Sequence, residues 1–467
     1  MLFNSLEFII FFPVVTLLYF LIPHQFRWFH LLIASCIFYA AFIPSYLLIL
    51  LLLILIDFTS GILIEKSTSH KKKWLLISLA ANIGLLCLFK YYNFFAGNIN
   101  ALTGSNFVLL RWALPIGLSF HTFQAMSYTI EVYRGNQKAV KHFGYYALYV
   151  MFYPQLVAGP IERPYHLFPQ FFTKQKFSSQ KLYEGLRLMA WGFFKKLVIA
   201  DRISEYADVV FKNPSDMNAG NIWMGVFYFA IQIYADFSGY SDIAIGAARC
   251  MGIDLMINFN RPYLSSNIRD FWTRWHISLS SWFRDYFYIP LGGNRKGELR
   301  KRINVMVTFA VSGFWHGAGW TFIIWGILHG SYLIIYDFLA TVTKKIRIPN
   351  VLGWLFTGLA VGFAWIFFRA ASLDNAFAII RQSINVNNIS WSSISGLKTI
   401  NTQYGNLTML FTFACIGYML IAEKFTKPVL LNLNEKKITD TVFFSINLLA
   451  IIFFGMFTKT NFIYFQF

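Results

Sequence analysis

Charge is scarce in this chain. Only 13% of its 467 residues are Asp, Glu, Lys or Arg, against roughly a quarter in a soluble domain. Cysteine is scarcer still. Cys36, Cys87, Cys250 and Cys415 each fall in or beside an apolar stretch, far from one another. That scatter excludes a secreted disulfide framework and a cysteine metal site, and leaves membrane packing as the expected role. Acidic residues are few, 21 against 40 basic ones, for a net charge of +19. No nucleotide-binding loop, internal repeat or low-complexity linker is present.

The remainder is overwhelmingly apolar. Hydrophobic residues make up 57% of the chain, aromatics 19%, and Phe alone counts 52. Such a chain is polytopic, with no room for a sizeable soluble domain. In a soluble protein the basic excess would suggest nucleic acid. Here it belongs in short cytoplasmic loops facing anionic lipid, so membrane lipid is an expected partner and nucleic acid is not. The start of the chain carries Asn4 and Glu7 rather than a basic region, and reads as a retained first helix, not a signal peptide.

Apolar runs at 8–22, 28–43, 46–64, 74–89, 143–157, 188–199, 223–245, 305–336, 352–368, 409–422 and 442–457 are candidate spans. A full crossing takes about twenty residues, and several runs are shorter, so tilting or partial insertion is expected for about ten or eleven helices. Lys66, Lys71, Lys72 and Lys73 form a basic loop placed in the cytoplasm, which puts the N-terminus outside; loop 344–347 also reads as cytoplasmic. Two stretches are too polar to face lipid all round. Residues 111–133 contain Pro115, Gly117, His121, Gln124 and Glu131, and residues 267–294 mix charges with Trp272, Trp275 and Trp282. Both are expected to be partly inserted or in-plane helices walling an internal funnel.

The most informative run is 305–336, with Trp315, His316, Gly317, His329 and Gly330. An imidazole in a membrane-grade helix is costly and faces a cavity or a partner. With no cysteine cluster and no nucleotide loop, it points to chemistry on a hydroxyl. The small residues around His316 admit a thin substrate or a second helix backbone, and both readings stand. His329 is thirteen positions further on; read as one helix, the two cannot share a reacting atom, and His329 becomes structural or rim-lining. His276 shares a helical face with Trp272 and Ser280, with Arg274 pointing elsewhere, or else anchors an interfacial helix. Asp236 and Ser238 either orient a histidine or substrate, or Asp236 pairs with Arg274 or Arg284 to tie helices together. Glu162 and Arg163 line a cytoplasmic mouth or form a solvated ion pair at a turn.

At these residues the chain resembles the membrane-bound O-acyltransferase (MBOAT) superfamily, in the bacterial branch with the alginate O-acetyltransferase membrane subunit and the teichoic-acid D-alanyl transferase. The resemblance rests on 234–242, 269–280, 282–288 with Pro290-Leu291-Gly292-Gly293, 313–317, 328–330 and both ends of the chain, 1–5 and 462–467. It implies an all-α polytopic fold of about eleven helices around a central tunnel. It implies one integral-membrane domain over 1–467, with variable helices over 1–110, a catalytic core at about 111–340 and C-terminal helices over 350–467. His316 takes the catalytic place and His276 that of the second histidine. Trp315, Gly317, Trp272, Ser280, Asp236, Ser238 and Arg274 are expected along the tunnel. No metal and no permanently bound cofactor is expected. The expected acyl donor is acetyl-CoA, with a carrier-protein thioester as the alternative, and Lys195 and Lys196 are candidates to attract the donor's phosphates. The expected acceptor is a polysaccharide or another hydroxyl, and an extracytoplasmic esterase-like protein is the expected partner. The expected place is the bacterial cytoplasmic membrane. A transporter or flippase for envelope glycans is the alternative of another class.

Overall fold

The computed structural model describes residues 1–342, 349–387, 389–398, 405–425, 438–457 and 462–463. The expected cytoplasmic loop at 344–347 and the closing residues 464–467 lie outside the described residues. Every regular element among those described is helical. Residues cluster into two compact units, Met1–Met189 with Tyr240–Ile257, and Ala190–Gly239 with Asn258–Phe467. Among the described residues, five helices are long and apolar enough to cross a membrane: Tyr46–Lys66, Lys71–Thr103, Trp320–Val342, Asn350–Arg369 and Asn406–Lys424. Leu6–Leu21 and Asp440–Phe454 are shorter apolar helices.

The first unit is built around Leu118–Arg134, a helix with fourteen of its seventeen residues buried. Glycines in the left-handed region bound it, Gly117 at φ 75° and Gly135 at φ 81°, a conformation other residues rarely adopt. The sequence's partly inserted stretch is therefore an enclosed helix preceded by irregular chain at 111–115. Polar groups tie its neighbours together. Asp57, fully buried on Tyr46–Lys66, accepts from Ser78 Oγ at 2.6 Å and from Asn82 Nδ2 at 3.0 Å. A carboxyl group at that depth is tolerable because both oxygens are met.

The second unit contains the long apolar run, and the run is not one helix. Gly297–His316 ends at Gly317, whose backbone is extended at φ −157°, and the chain turns back through Trp320–Val342. The hairpin closes tightly: a Cβ on Gly313 would strike the carbonyl oxygen of Phe322, and one on Gly326 that of Phe309. Gly313 and Gly326 thus serve backbone-to-backbone packing, while Gly317 makes room for the Phe322 ring.

Candidate active site

All nine tunnel and catalytic candidates fall in the second unit. His276 is placed by a break in the chain rather than by helical periodicity. Ile268–Arg274 starts with Asn267 accepting from the Asp270 N–H at 2.8 Å and stops at Trp275. Ile277–Phe283 then starts anew, with His276 between them in the left-handed region at φ 43°. Two backbone bonds hold this bend: Ile277 N–H donates to Asn258 O and Asn260 N–H to Arg274 O, both 2.9 Å. Trp272, His276 and Ser280 therefore do not share one helical face, contrary to the sequence expectation. Trp272 packs on Phe309 and His329, and Ser280 Oγ donates to Trp275 O.

The His276 ring is 1% exposed. Its Nδ1 lies 2.9 Å from Asn258 Oδ1, which also accepts from Ser278 Oγ at 3.0 Å. Phe237 meets the ring edge-on at 4.7 Å, and Phe259 lies at 6.2 Å. His316, the last residue of its helix and 4% exposed, sits with its ring centroid 6.4 Å from that of His276. Trp315, Trp325 and Phe368 surround it at 4.9, 5.2 and 5.4 Å. Forty residues apart in sequence, the two imidazoles lie beside each other within one shell of aromatic rings.

His329 takes the structural one of its two expected roles, though the single-helix argument for it fails. It lies on the returning helix, so axial distance along a single helix does not separate it from His316. Trp325 stands between the two rings, 5.2 Å from one and 4.9 Å from the other. His329 is 0% exposed, with Phe271, Trp272, Tyr332 and Trp365 as further ring neighbours. It is a core residue and does not line a rim.

The carboxylate of Asp236 pairs with neither arginine proposed for it. Lys196 Nζ reaches Asp236 Oδ1 and Asp201 Oδ1, each at 2.8 Å, and Asp236 Oδ2 accepts the Ile463 N–H at 2.8 Å. Arg274 bonds Asp270 and Arg284 bonds Asp285. Lys195 donates to Ser238 Oγ at 2.9 Å. Both lysines are buried and engaged, so neither greets a donor's phosphates from solvent. In the first unit, Glu162 and Arg163 are buried rather than solvated. Glu162 accepts from the Met256 N–H at 2.5 Å and bonds His166 Nδ1 at 2.6 Å. The carboxylate raises the pKa of His166 above its usual 6.5, against the opposing pull of burial.

A cleft of about 560 Å³ opens at the other end of the hairpin, lined by Arg269, Glu298, Lys301, Arg302 and Asp337. Arg269 and Lys301 both pair with Asp337; Arg302 has no ion-pair partner among the described residues. No cluster of His, Cys, Asp and Glu among the described residues suits a metal ion.

Asn258, Phe237, Phe259, Phe368 and Trp325 were not singled out by the sequence. The one local signal for Asn258 was its place in Asn258-Phe259-Asn260-Arg261-Pro262, a proline-punctuated stretch before an aromatic-rich helix.

Among the described residues every regular element is helical and five helices are long and apolar enough to cross a membrane, and known proteins resemble this chain over most of its length. The profile of the MBOAT, membrane-bound O-acyltransferase family, matches residues 67–374. The peptidoglycan O-acetyltransferase of Helicobacter pylori is 38% identical over 431 residues, covering 85% of this chain and 82% of that protein. The probable alginate O-acetylase AlgI of Pseudomonas aeruginosa is 36% identical over 439 residues, covering 92% and 83%. The teichoic acid D-alanyltransferase of Bacillus subtilis is 30% identical over 246 residues, 50% of this chain and 61% of that one. The family match takes in both histidines and the hairpin that carries His316, and on that breadth the chain belongs to the membrane-bound O-acyltransferase family.

Proposed function

We propose that this membrane-bound O-acyltransferase moves an acetyl group from a cytoplasmic thioester to a hydroxyl of a cell-envelope glycan, directly or through a partner that relays it, with His316 as the base. The observation that carries this reading is the 6.4 Å pairing of His276 and His316 inside a buried aromatic shell. An alcohol is a poor nucleophile near neutral pH, and imidazole is the side chain that titrates closest to it. His316 takes the hydroxyl proton as the oxygen attacks the thioester carbonyl. The C–O bond forms, the C–S bond breaks, and the departing thiolate takes the proton back from the imidazolium. Enclosure of both rings supports the reading, because it holds the reactants together without bulk water.

Acetyl is favoured over D-alanyl because the O-acetyltransferase relatives align over 85–92% of the chain and the D-alanyltransferase over half. The same relatives, whose names specify peptidoglycan and alginate, support a glycan as the acceptor class. We assign the donor's phosphates to the basic cleft at the open end of the hairpin. Lys301 and His316 are fifteen residues apart on one helix, about 22 Å by helix rise, a reach suited to an extended thioester arm. The neighbouring Arg295, Lys296 and Arg300 give this end the basic character of a cytoplasmic loop. The cytoplasmic membrane is then the place of the reaction, and the core at about 111–340 holds its chemistry.

The test is His316→Ala in membranes supplied with labelled acetyl-CoA, at matched protein level. Loss of a positioned base lowers transfer by about 10²–10⁴-fold. Transfer at the parent rate would remove His316 from the mechanism.

A further inference from the structure

We infer that Asn258 is a positioning residue that fixes the tautomer of His276 and makes it a hydrogen-bond acceptor toward the substrate, not the donor that polarises the thioester carbonyl. The inference rests on the proposed acyl transfer and names the part His276 takes in it.

The argument is one of donors and acceptors. An amide carbonyl oxygen carries no proton and can only accept. Asn258 Oδ1 receives Ser278 Oγ–H at 3.0 Å and faces His276 Nδ1 at 2.9 Å. The proton of the neutral ring must therefore sit on Nδ1, which places the lone pair on Nε2. The same residue also holds the bend, because its backbone carbonyl accepts from the Ile277 N–H at 2.9 Å. Asn258 thus orients His276 through main chain and side chain together, while the left-handed backbone at φ 43° directs the ring. Asn258 and Ser278 are both fully buried, so water does not compete for either bond.

The reacting hydroxyl has a single proton, and His316 takes it. The group that donates to His276 Nε2 is then a second O–H or N–H of the bound substrates, and a sugar, with hydroxyls on adjacent carbons, supplies one. Across the site the titratable ring facing His276 is His316. On the helix that carries Phe237, the adjacent Asp236 is already held by Lys196.

Two substitutions separate positioning from mere packing. Asn258→Asp keeps an acceptor at Nδ1 but adds a negative charge that favours imidazolium, so Nε2 stays protonated to higher pH. The acid limb of the kcat/KM profile moves up by about one pH unit or more, with activity recovered on the alkaline side. Asn258→Leu removes the acceptor and frees the tautomer; kcat falls on the order of 10²-fold with no movement of the limb. Both are read in native membranes, with labelled acetyl-CoA as donor and label in the envelope glycan as product. Protein level and thermal melting are followed in parallel, and if Asn258→Leu fails to accumulate, Asn258→Asp alone decides. An Asn258→Asp profile that overlays the parent's, or an Asn258→Leu enzyme with the parent's kcat, overturns the inference. If His316→Ala abolishes transfer and Asn258→Asp leaves the limb in place, only the role of Asn258 fails. If His316→Ala is fully active, the reading beneath it fails first.

Discussion

Replacing Lys196 with methionine would leave two carboxylates facing each other in the interior. Lys196 Nζ stands 2.8 Å from Asp201 and 2.8 Å from Asp236, and the three side chains are 9%, 3% and 3% exposed. Asp236 cannot swing away to find water, because its second oxygen holds the Ile463 N–H. Removing one partner of a buried ion pair costs about 3–5 kcal/mol. Here one cation serves two anions, so the loss falls at the upper end, tempered where a carboxylate takes up a proton. The triple variant Lys196→Met, Asp201→Asn, Asp236→Asn has the same shape without charge and should recover most of that loss, since the desolvation of all three ions disappears with them. The measurement is thermal or denaturant unfolding of purified protein in detergent, beside the fraction recovered as a monodisperse peak. A Lys196→Met protein that melts with the parent, or a triple variant no better than the single one, would refute the reasoning. Asp236→Asn decides the other reading: full stability with lost transfer would put Asp236 on the substrate path rather than in the scaffold.

Gly326→Ala places a methyl against the Phe309 carbonyl, where backbone and not a flexible side chain must yield. A cost of about 1–3 kcal/mol is expected, seen as a lower melting temperature, while Gly358→Ala, with open space around it, should be silent. His166 has a folded pKa above its unfolded value, so its bond to Glu162 stabilises fully below about pH 6.5 and fades as pH rises through the folded value. The melting difference between parent and His166→Ala should therefore be larger near pH 6 than near pH 9; a constant difference would contradict the sign. Reversing charge in the cleft, Lys301→Glu with Arg302→Glu, should raise KM for acetyl-CoA about tenfold, a loss of about 1.4 kcal/mol, and leave KM for acetyl-pantetheine, which lacks the phosphates, unchanged. Equal effects on both donors would remove the cleft from donor binding.

The membrane character was legible in the sequence because it is a composition-level signal, and the burial of His316 because an imidazole in an apolar run is a local one. Long apolar runs need no partner to be recognised, and a Trp-His-Gly in such a run is conspicuous. The bends were not legible. Nothing in residues 305–336 distinguishes a kinked span from a hairpin, since Gly317 and Gly319 are as compatible with close helix packing as with a turn. His276 at positive φ was invisible for a related reason: helical periodicity across 268–283 is good on either side of it, and histidine only occasionally adopts that conformation. The partner of Asp236 was misassigned because arginines stood closer to the other motifs in sequence, whereas Lys196 lies on a segment that only folding brings alongside. Asn258 carries no chemistry of its own, and its value comes wholly from the ring it faces eighteen residues later.

The hairpin that ends at His316 has a mechanical consequence. Where two backbones touch with no room for a single methyl, they cannot slide past each other or rotate independently, and they behave as one strut. A strut does not gate. His316, the last residue before the turn, is therefore held as firmly as the two backbones it joins, and any change in the spacing of the two imidazoles has to come from the His276 side.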